Sequence, residues 1–319
     1  MTADAALKFL KASADPTRLR LLALLAGGEA TVGELVEVLG QSQPRVSRHL
    51  RLLAAARLVA HFRDGQWVYY RLDPGIVLAD LLDRVLGLAR AGDATIAADQ
   101  DRMAGIRRQR ERYAFAAPTG PRRWAEPAAG RPGEAALRQA LEDALGGQPV
   151  GDVLDIGVGA GALLGLLAPR ARSAVGLDIS RGMRVLARSR LQQAGLAHCT
   201  IRAGDMHALA FPDLSFDLVV LDEVLSLSTD PQRALAETAR VLRPAGRLLV
   251  LDRILPAALR LPPAGGEAGG LFENQLAAML RAAGLRPGSP AWFPARSPGF
   301  ALLTATAATP RQRTDNHDD

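Results

Sequence analysis

In the second half of the chain, several residues have the types and spacing that suit a nucleotide-like ligand. In VLDIGVGAG, residues 153–161, Asp155 precedes Gly157, Gly159 and Gly161. Glycines at a strand-to-helix turn let the backbone approach a ligand closely. Asp178 ends the next apolar run, with Ile179 directly behind it, and a carboxylate there can accept both hydroxyls of a ribose. AGDM puts Asp205 and Met206 at the end of a third run, where an acid can meet an adenine amino group and an apolar side chain can cover the ring. Asp222 ends a fourth, in VVLDEV. Each has a plainer alternative: Asp222 and Glu223 as solvated loop acids, Met206 as core. A glycine-rich loop alone serves several nucleotides, so the weight rests on the series.

A second set lies near the front. QSQPRVSRHLRLL opens a helix whose first turns carry Ser42, Gln43, Arg45, Ser47, Arg48 and His49. Residues at such a helix start suit base edges, and their basic neighbours suit phosphates. Arg45 or Arg48 has the geometry for a bidentate contact to guanine, and Gln43 for one to adenine. A solvated helix face is the alternative for Arg48 and Arg51, and a packing role for His49. Arg63 and Arg71 follow, on either side of Asp64–Gly65. That dipeptide lies between two β-rich runs, the strongest short-range hairpin signal.

The elements that must position these residues are legible from periodicity. Asp15 and Pro16 open one helix, Thr31 a second, and Ser42 with Pro44 a third, each at a capping position. Helix, helix–turn–helix and hairpin together make a winged helix over roughly residues 5–90. From Val150 onward strands and helices alternate, which argues for an α/β domain with a mostly parallel sheet. Between them, DQDRMAGIRRQRER reads as a solvated helix and the Pro/Gly-rich stretch after it as linker or lid. Tyr113, Phe115 and Trp124 are the lid candidates. The expected boundaries are 1–90, 91–149, 150–307 and a disordered tail, 308–319.

Composition narrows the classes. The 319 residues carry a net charge of +6, and the isoelectric point is about 10.3. Arginine bias accounts for most of this, but the basic residues cluster at the recognition helix and in 102–123, which suits a phosphate-facing surface. One cysteine, Cys199, allows neither a disulfide framework nor a thiolate metal site, and it reads as a small buried residue. No apolar run approaches the ~20 residues of a membrane helix, and the first residues lack the pattern of a signal peptide. The expectation is a cytoplasmic protein that does not engage membranes.

The segment LGQSQPRVSRHLRLLAAARLV resembles the ArsR/SmtB family of bacterial repressors over residues 5–85. The resemblance implies operator DNA as a partner and a homodimer matched to palindromic half-sites. Glycine is usual in that family where this chain has Arg57, so a left-handed C-cap would be strained there. Metal sensing is not expected. TVGELVEVLG has no cysteine and PGIVLADLLDRVLGLAR no histidine, and Asp80 with Asp83 alone makes a poor zinc site.

The series Asp155, the glycines, Asp178 and GDM, followed by FPDLSFDLVVLDEVL and ARVLRPAGRLLVLD, resembles the class I S-adenosylmethionine-dependent methyltransferases over 150–306. That implies a Rossmann-like domain with a seven-stranded sheet, and S-adenosylmethionine or S-adenosylhomocysteine as the bound small molecule. DNA methylation is disfavoured. LDEVLSLS stands where an (Asp/Asn)-Pro-Pro-aromatic motif belongs, and no cysteine follows a proline as a cytosine-C5 nucleophile must. The acceptor-side stretch LPAALRLPPAGGEAGGLF offers little beyond Arg260 and Glu267.

The joined arrangement resembles regulators that respond to adenosylhomocysteine and control genes of the methionine–adenosylmethionine cycle. A ligand-sensing transcriptional regulator is the preferred expectation, with 91–149 as the transmission segment. Its rivals are a small-molecule methyltransferase whose winged helix serves autoregulation, and a constitutive DNA binder whose second domain is a dimerisation scaffold.

Overall fold

The structure is a computed structural model, and it describes residues 3–64, 67–73, 75–76, 78–116, 130–256, 271–293 and 299–307. The expected tail, Trp124, Gly65 and the stretch holding Arg260 and Glu267 lie outside these residues.

The first elements are α1 (Ala3–Ser13), α2 (Pro16–Ala26), β1 (Ala30–Thr31), α3 (Val32–Leu39), α4 (Gln43–Ala55), β2 (Val59–Asp64), β3 (Trp67–Leu72), α5 (Ala79–Gly92) and α6 (Ala94–Ala116). Next come α7 (Glu134–Leu145), β4 (Gly151–Ile156), α8 (Ala162–Leu167), β5 (Ala171–Asp178), α9 (Arg181–Gln193), β6 (Cys199–Ala203) and β7 (Phe216–Asp222). The chain continues with α10 (Pro231–Val241), β8 (Leu242–Leu255), β9 (Leu271–Phe272), α11 (Glu273–Ala282), β10 (Leu285–Pro287), β11 (Ala291–Phe293) and β12 (Gly299–Ala307). Two compact units emerge: Met1–Ala125 with Gly159–Gly165 and Ser180–Ala203, and Glu126–Val158 with Leu166–Ile179 and Gly204–Asp319.

The first unit is built on the winged helix. Asp15 accepts the Arg18 N–H at 3.0 Å and caps α2. Thr31 and Glu34 form a reciprocal capping box on α3, satisfying two donors that a helix start leaves unpaired. The recognition helix α4 ends in a Schellman motif: the Leu58 N–H reaches the Leu53 carbonyl, and the Arg57 N–H the Ala54 carbonyl, both at 3.0 Å. Arg57 takes φ 55°, so the strain expected of an arginine at that position is present. The strands form a three-stranded sheet in the order β1-β3-β2. Leu21, Leu22, Leu35, Val46, Leu50 and Leu53 are sealed in the core beneath it.

Two features of this unit depart from the sequence reading. Helix α6 is packed rather than solvated: Ile96 and Met103 are buried, and the helix lies against α2, α3 and α9. Its buried Asp99 receives a bidentate Arg20, with Nη2 at 2.8 Å. The helix Arg181–Gln193, expected as a face of the second domain, packs here as well.

The second unit carries a sheet in the order β10-β12-β8-β7-β4-β5, with β11 on β12 and β9 on β8. Pairs β4–β5, β4–β7 and β7–β8 are parallel, while β12 runs antiparallel to β8. The mostly parallel sheet was expected with seven strands; with β6, which continues the order after β5, it has nine. The additions are the two-residue β9 and three-residue β10, too short to leave a period-2 signal. Leu154, Ile156, Val219, Leu221, Leu248 and Val250 fill its core, so these central strands read as near-continuous apolar runs.

Candidate functional site

In the second unit, ligand-type residues gather at the carboxyl ends of the parallel strands, where α/β sheets bind ligands at a change in strand order. Asp155 lies near the end of β4, fully buried and in register with Gly176 of β5 and Val220 of β7. The chain then bends. The Gly157 and Val158 N–H groups both donate to the Leu177 carbonyl at 2.8 Å. Gly157 has φ 77°, and a Cβ on it would fall 1.9 Å from Val224 Cγ1. Its bareness is thus demanded by the fold itself. Gly159 and Gly161 repeat the left-handed φ, at 50° and 81°.

Asp178 is the last residue of β5, and Ile179 beside it is 80 % exposed. An acid and an exposed apolar side chain at one strand end suit a ribose diol and a base face. Asp205 is engaged locally: it accepts the His207 N–H at 2.9 Å and stands 2.7 Å from His207 Nδ1. The His207 backbone bond first, then its ring, hold the Asp205 carboxyl below its ordinary value. Met206 is half-buried against the core cluster, in keeping with its plainer alternative. Asp222, buried at the end of β7, is paired with Arg131: Nη1–Oδ1 is 2.7 Å and Nη2–Oδ2 3.0 Å. Arg131 also contacts Glu223.

Sequence reasoning missed Arg131 and His207. Arg131 lies in a Pro/Gly-rich stretch where no spacing marks it. His207 sits two residues after Asp205, and its Nε2 reaches Ser228 Oγ at 2.7 Å. An acid-x-His pattern is too common locally to single out.

On the first unit, Ser42, Gln43, Arg45 and Arg48 are exposed along the start of α4, and Ser47 is half-buried among them. Ser42 makes no side-chain capping bond. His49 turns to the helix α2 cap, Nδ1 lying 3.6 Å from Asp15, so packing accounts for it. Arg63 is exposed on β2, between buried Phe62 and Asp64. Arg71 faces the other way, bonded to Thr200.

The same inward face of the hairpin grips α9. Arg188, 1 % exposed in its side chain, pairs with Glu29 at 3.0 Å and Asp64 at 2.6 Å, and lies 4.1 Å over the Tyr69 ring. Arg184 reaches Asp64 at 2.9 Å, and the Ala203 N–H donates to the same carboxylate at 3.1 Å. Burial alone would raise the Asp64 carboxyl, but Arg188 and Arg184 hold it below its ordinary value. Cys199 is also sealed here, among Glu29, Arg188 and Gln192, and burial pushes its thiol up to about 12.

Comparison with known proteins agrees with both halves. Residues 15–61 match the family described as bacterial regulatory protein, arsR family, and residues 154–250 match a methyltransferase domain. Transcriptional repressor SdpR of Bacillus subtilis (strain 168) is 40 % identical over 83 residues, which are 26 % of this chain and 91 % of that protein. A probable mercury resistance operon repressor of Streptomyces lividans is 43 % identical over 89 residues, 28 % of this chain and 71 % of that one. Uncharacterized methyltransferase YcgJ of Bacillus subtilis (strain 168) is 35 % identical over 104 residues, so the chain spans 33 % of itself and 41 % of that relative. The solved YcgJ structure aligns with 55 % of this chain and 99 % of its own, at 20 % identity and a TM-score of 0.46. The chain belongs to the ArsR family of bacterial transcriptional regulators, with a class I methyltransferase domain fused to its helix–turn–helix region.

Proposed function

We propose that the methyltransferase-like domain binds S-adenosylmethionine or S-adenosylhomocysteine as a signal, and that the signal alters how the winged helix holds operator DNA. Asp178 would take the ribose hydroxyls, Asp205 the adenine amino group and Ile179 a face of the ring, beside the bend at Gly157, Gly159 and Gly161. The residue set fits such a group: carboxylates at adjacent strand ends and an exposed apolar side chain next to one of them. S-Adenosylmethionine carries an activated sulfonium methyl when bound. The residues named here bind and orient rather than react.

The observation that carries the reading is the Arg188–Glu29–Asp64 cluster. Helix α9 begins three residues after Asp178, and its Ser180 cap accepts the Met183 N–H at 3.4 Å. The same helix holds the hairpin through buried ion pairs. A ligand that orders the Asp178–Ser180 turn acts directly on the helix that clamps the wing. We take this helix, rather than residues 91–149, as the proposed route. Genes of the methionine–adenosylmethionine cycle are the proposed targets, and a cytoplasmic homodimer the proposed species. Exposed Leu7 and Leu10 on α1 and Leu81 and Leu88 on α5 supply apolar area for the dimer contact.

The test is a titration of duplex DNA, selected by the protein from a random library, against full-length protein with each adenosyl ligand at fixed salt. A change in DNA affinity of tenfold or more with at least one ligand is expected, and indifference to both removes the sensing role. Methyl transfer to a small acceptor is a second reading, favoured by the Asp205–His207–Ser228 chain, which orients an imidazole as a base must be oriented. Turnover of radiolabelled methyl groups into a metabolite pool would establish it.

A further inference from the structure

In the corner where the hairpin β2–β3 meets α9 and β6, arginines outnumber the acids that could pair with them. Arg188 is bound to Glu29 and Asp64, and Arg184 to Asp64. Arg71 and Arg202 make no ion pair with the described residues. Arg71 donates to the Thr200 hydroxyl, and Arg202 lies 5.1 Å over the Phe62 ring. The Nε of each is buried without an acceptor. Register brings them together. Ala60 pairs with Arg71 and Phe62 with Tyr69, so Phe62 and Arg71 share the hairpin's inward face, while Thr200 and Arg202 stand two apart on β6 and share a face there. Burial holds both guanidiniums below the ordinary arginine value against the pull of Glu29, and the charge of Arg202 presses Arg71 further down.

Even with Asp73, which acts weakly on Arg71, three carboxylates face four guanidiniums here. A buried cation without a counter-charge is costly, and guanidinium forks match the oxygens of a phosphate group. Arg71 and Arg202 are half-buried rather than sealed, so a small anion can reach them. Their place on the inward face, opposite exposed Arg63, disfavours duplex DNA as the source of the phosphate. We propose that Arg71, Arg202 and the Thr200 hydroxyl form a binding site for the phosphate group of a small molecule, which joins β3 to β6 when bound. The site lies wholly within the first unit, and its test does not depend on the adenosyl ligand.

Thermal unfolding of the full-length protein in about 10 mM inorganic phosphate, against chloride of equal ionic strength, should show a midpoint raised by about 3 °C or more. Glycerol 1-phosphate is the second probe. A larger rise with it identifies a phosphorylated metabolite as the ligand, and an equal or smaller one identifies the free ion. Arg71→Met and Arg202→Met should each abolish the rise. In chloride alone their midpoints should stay at or above that of the unmodified protein, because repulsion between the pair is gone. Arg190→Met, which removes an exposed charge from α9, should leave the rise intact. No rise with either probe in the unmodified protein overturns the proposal. So does a rise that survives in Arg71→Met, which is the general effect of an excluded salt. A fall in the chloride midpoint of both Met variants gives the pair a structural role and overturns it as well. The same holds if Arg71→Met binds duplex DNA more weakly with a salt slope shallower by about one, since the pair would then be a DNA-backbone contact.

Discussion

At the scale of single residues, Arg57 and Asp64 carry the clearest energetic consequences. Arg57 is an exposed arginine at a left-handed C-cap, a conformation that costs an L-residue about 1–2 kcal/mol. Glycine relieves that strain but loses chain entropy worth roughly 0.5–1 kcal/mol. Arg57→Gly is therefore expected to stabilise the protein by about 0.5 kcal/mol, read as a higher midpoint in urea unfolding. Asp64 acts in the opposite sense. Removing one partner from a buried ion pair costs about 3–5 kcal/mol, and Asp64→Ala should lose that much. Because the folded carboxyl sits below its ordinary value, its contribution is complete above the unfolded value of about 4. It is lost as the pH falls through the depressed folded value. The wild-type stability profile should thus fall in acid, and that of Asp64→Ala should be flatter. Arg57 was readable in advance, because backbone geometry is local. Arg188 was not: its partners Glu29 and Asp64 are 159 and 124 residues away in sequence, and nothing local announces a pairing at that range.

Between residue and domain, helices divide into those whose role periodicity reveals and those whose role it hides. The caps at Asp15 and Thr31 and the apolar spacing of α2, α3 and α4 were legible, since each is written within a dozen residues. Helix α6 read as solvated because arginines occupy so much of it. Four of its arginine and aspartate side chains are instead spent on other elements: Asp99 on Arg20, Arg102 on the Val38 carbonyl, Arg107 on the Gly28 carbonyl and Arg110 on Glu34. Periodicity scores such residues as polar whether they meet water or a partner. The same blindness hid Arg131. On α1 and α5 the situation is reversed, with leucines left outside. Leu88 is 78 % exposed. If α5 forms the contact between copies, Leu88→Arg should convert a dimer into monomers in sedimentation velocity, while its thermal midpoint at low protein concentration stays within about 2 °C, as expected for a surface change.

For the whole molecule, the alternation of strands and helices was enough to give the parallel sheet, and the order of turn, helix and hairpin gave the winged helix. What the pattern did not give was the allegiance of α9. A helix between two sheet strands is expected to serve the sheet, and its sequence contains no instruction to the contrary beyond two arginines spaced four apart, Arg184 and Arg188. Those two pair with Glu29 and Asp64 and so carry the helix into the first unit. The candidate ligand acids were legible because each lies at or close to the end of a strand, where a short motif fixes its place. The candidate DNA-contacting residues were read from the helix start and the hairpin in the same way; of these, His49 lies 3.6 Å from Asp15 and Arg71 is bonded to Thr200.

Cys199 gives the experimenter a built-in reporter. It is the chain's sole thiol, shut in beside Glu29 and Arg188 and almost wholly protonated at neutral pH. Alkylating reagents reach it only when that corner breathes, and no competing sulfhydryl clouds the signal. The rate of its modification is a clock for the parting of wing and helix, available in the unaltered protein without a label.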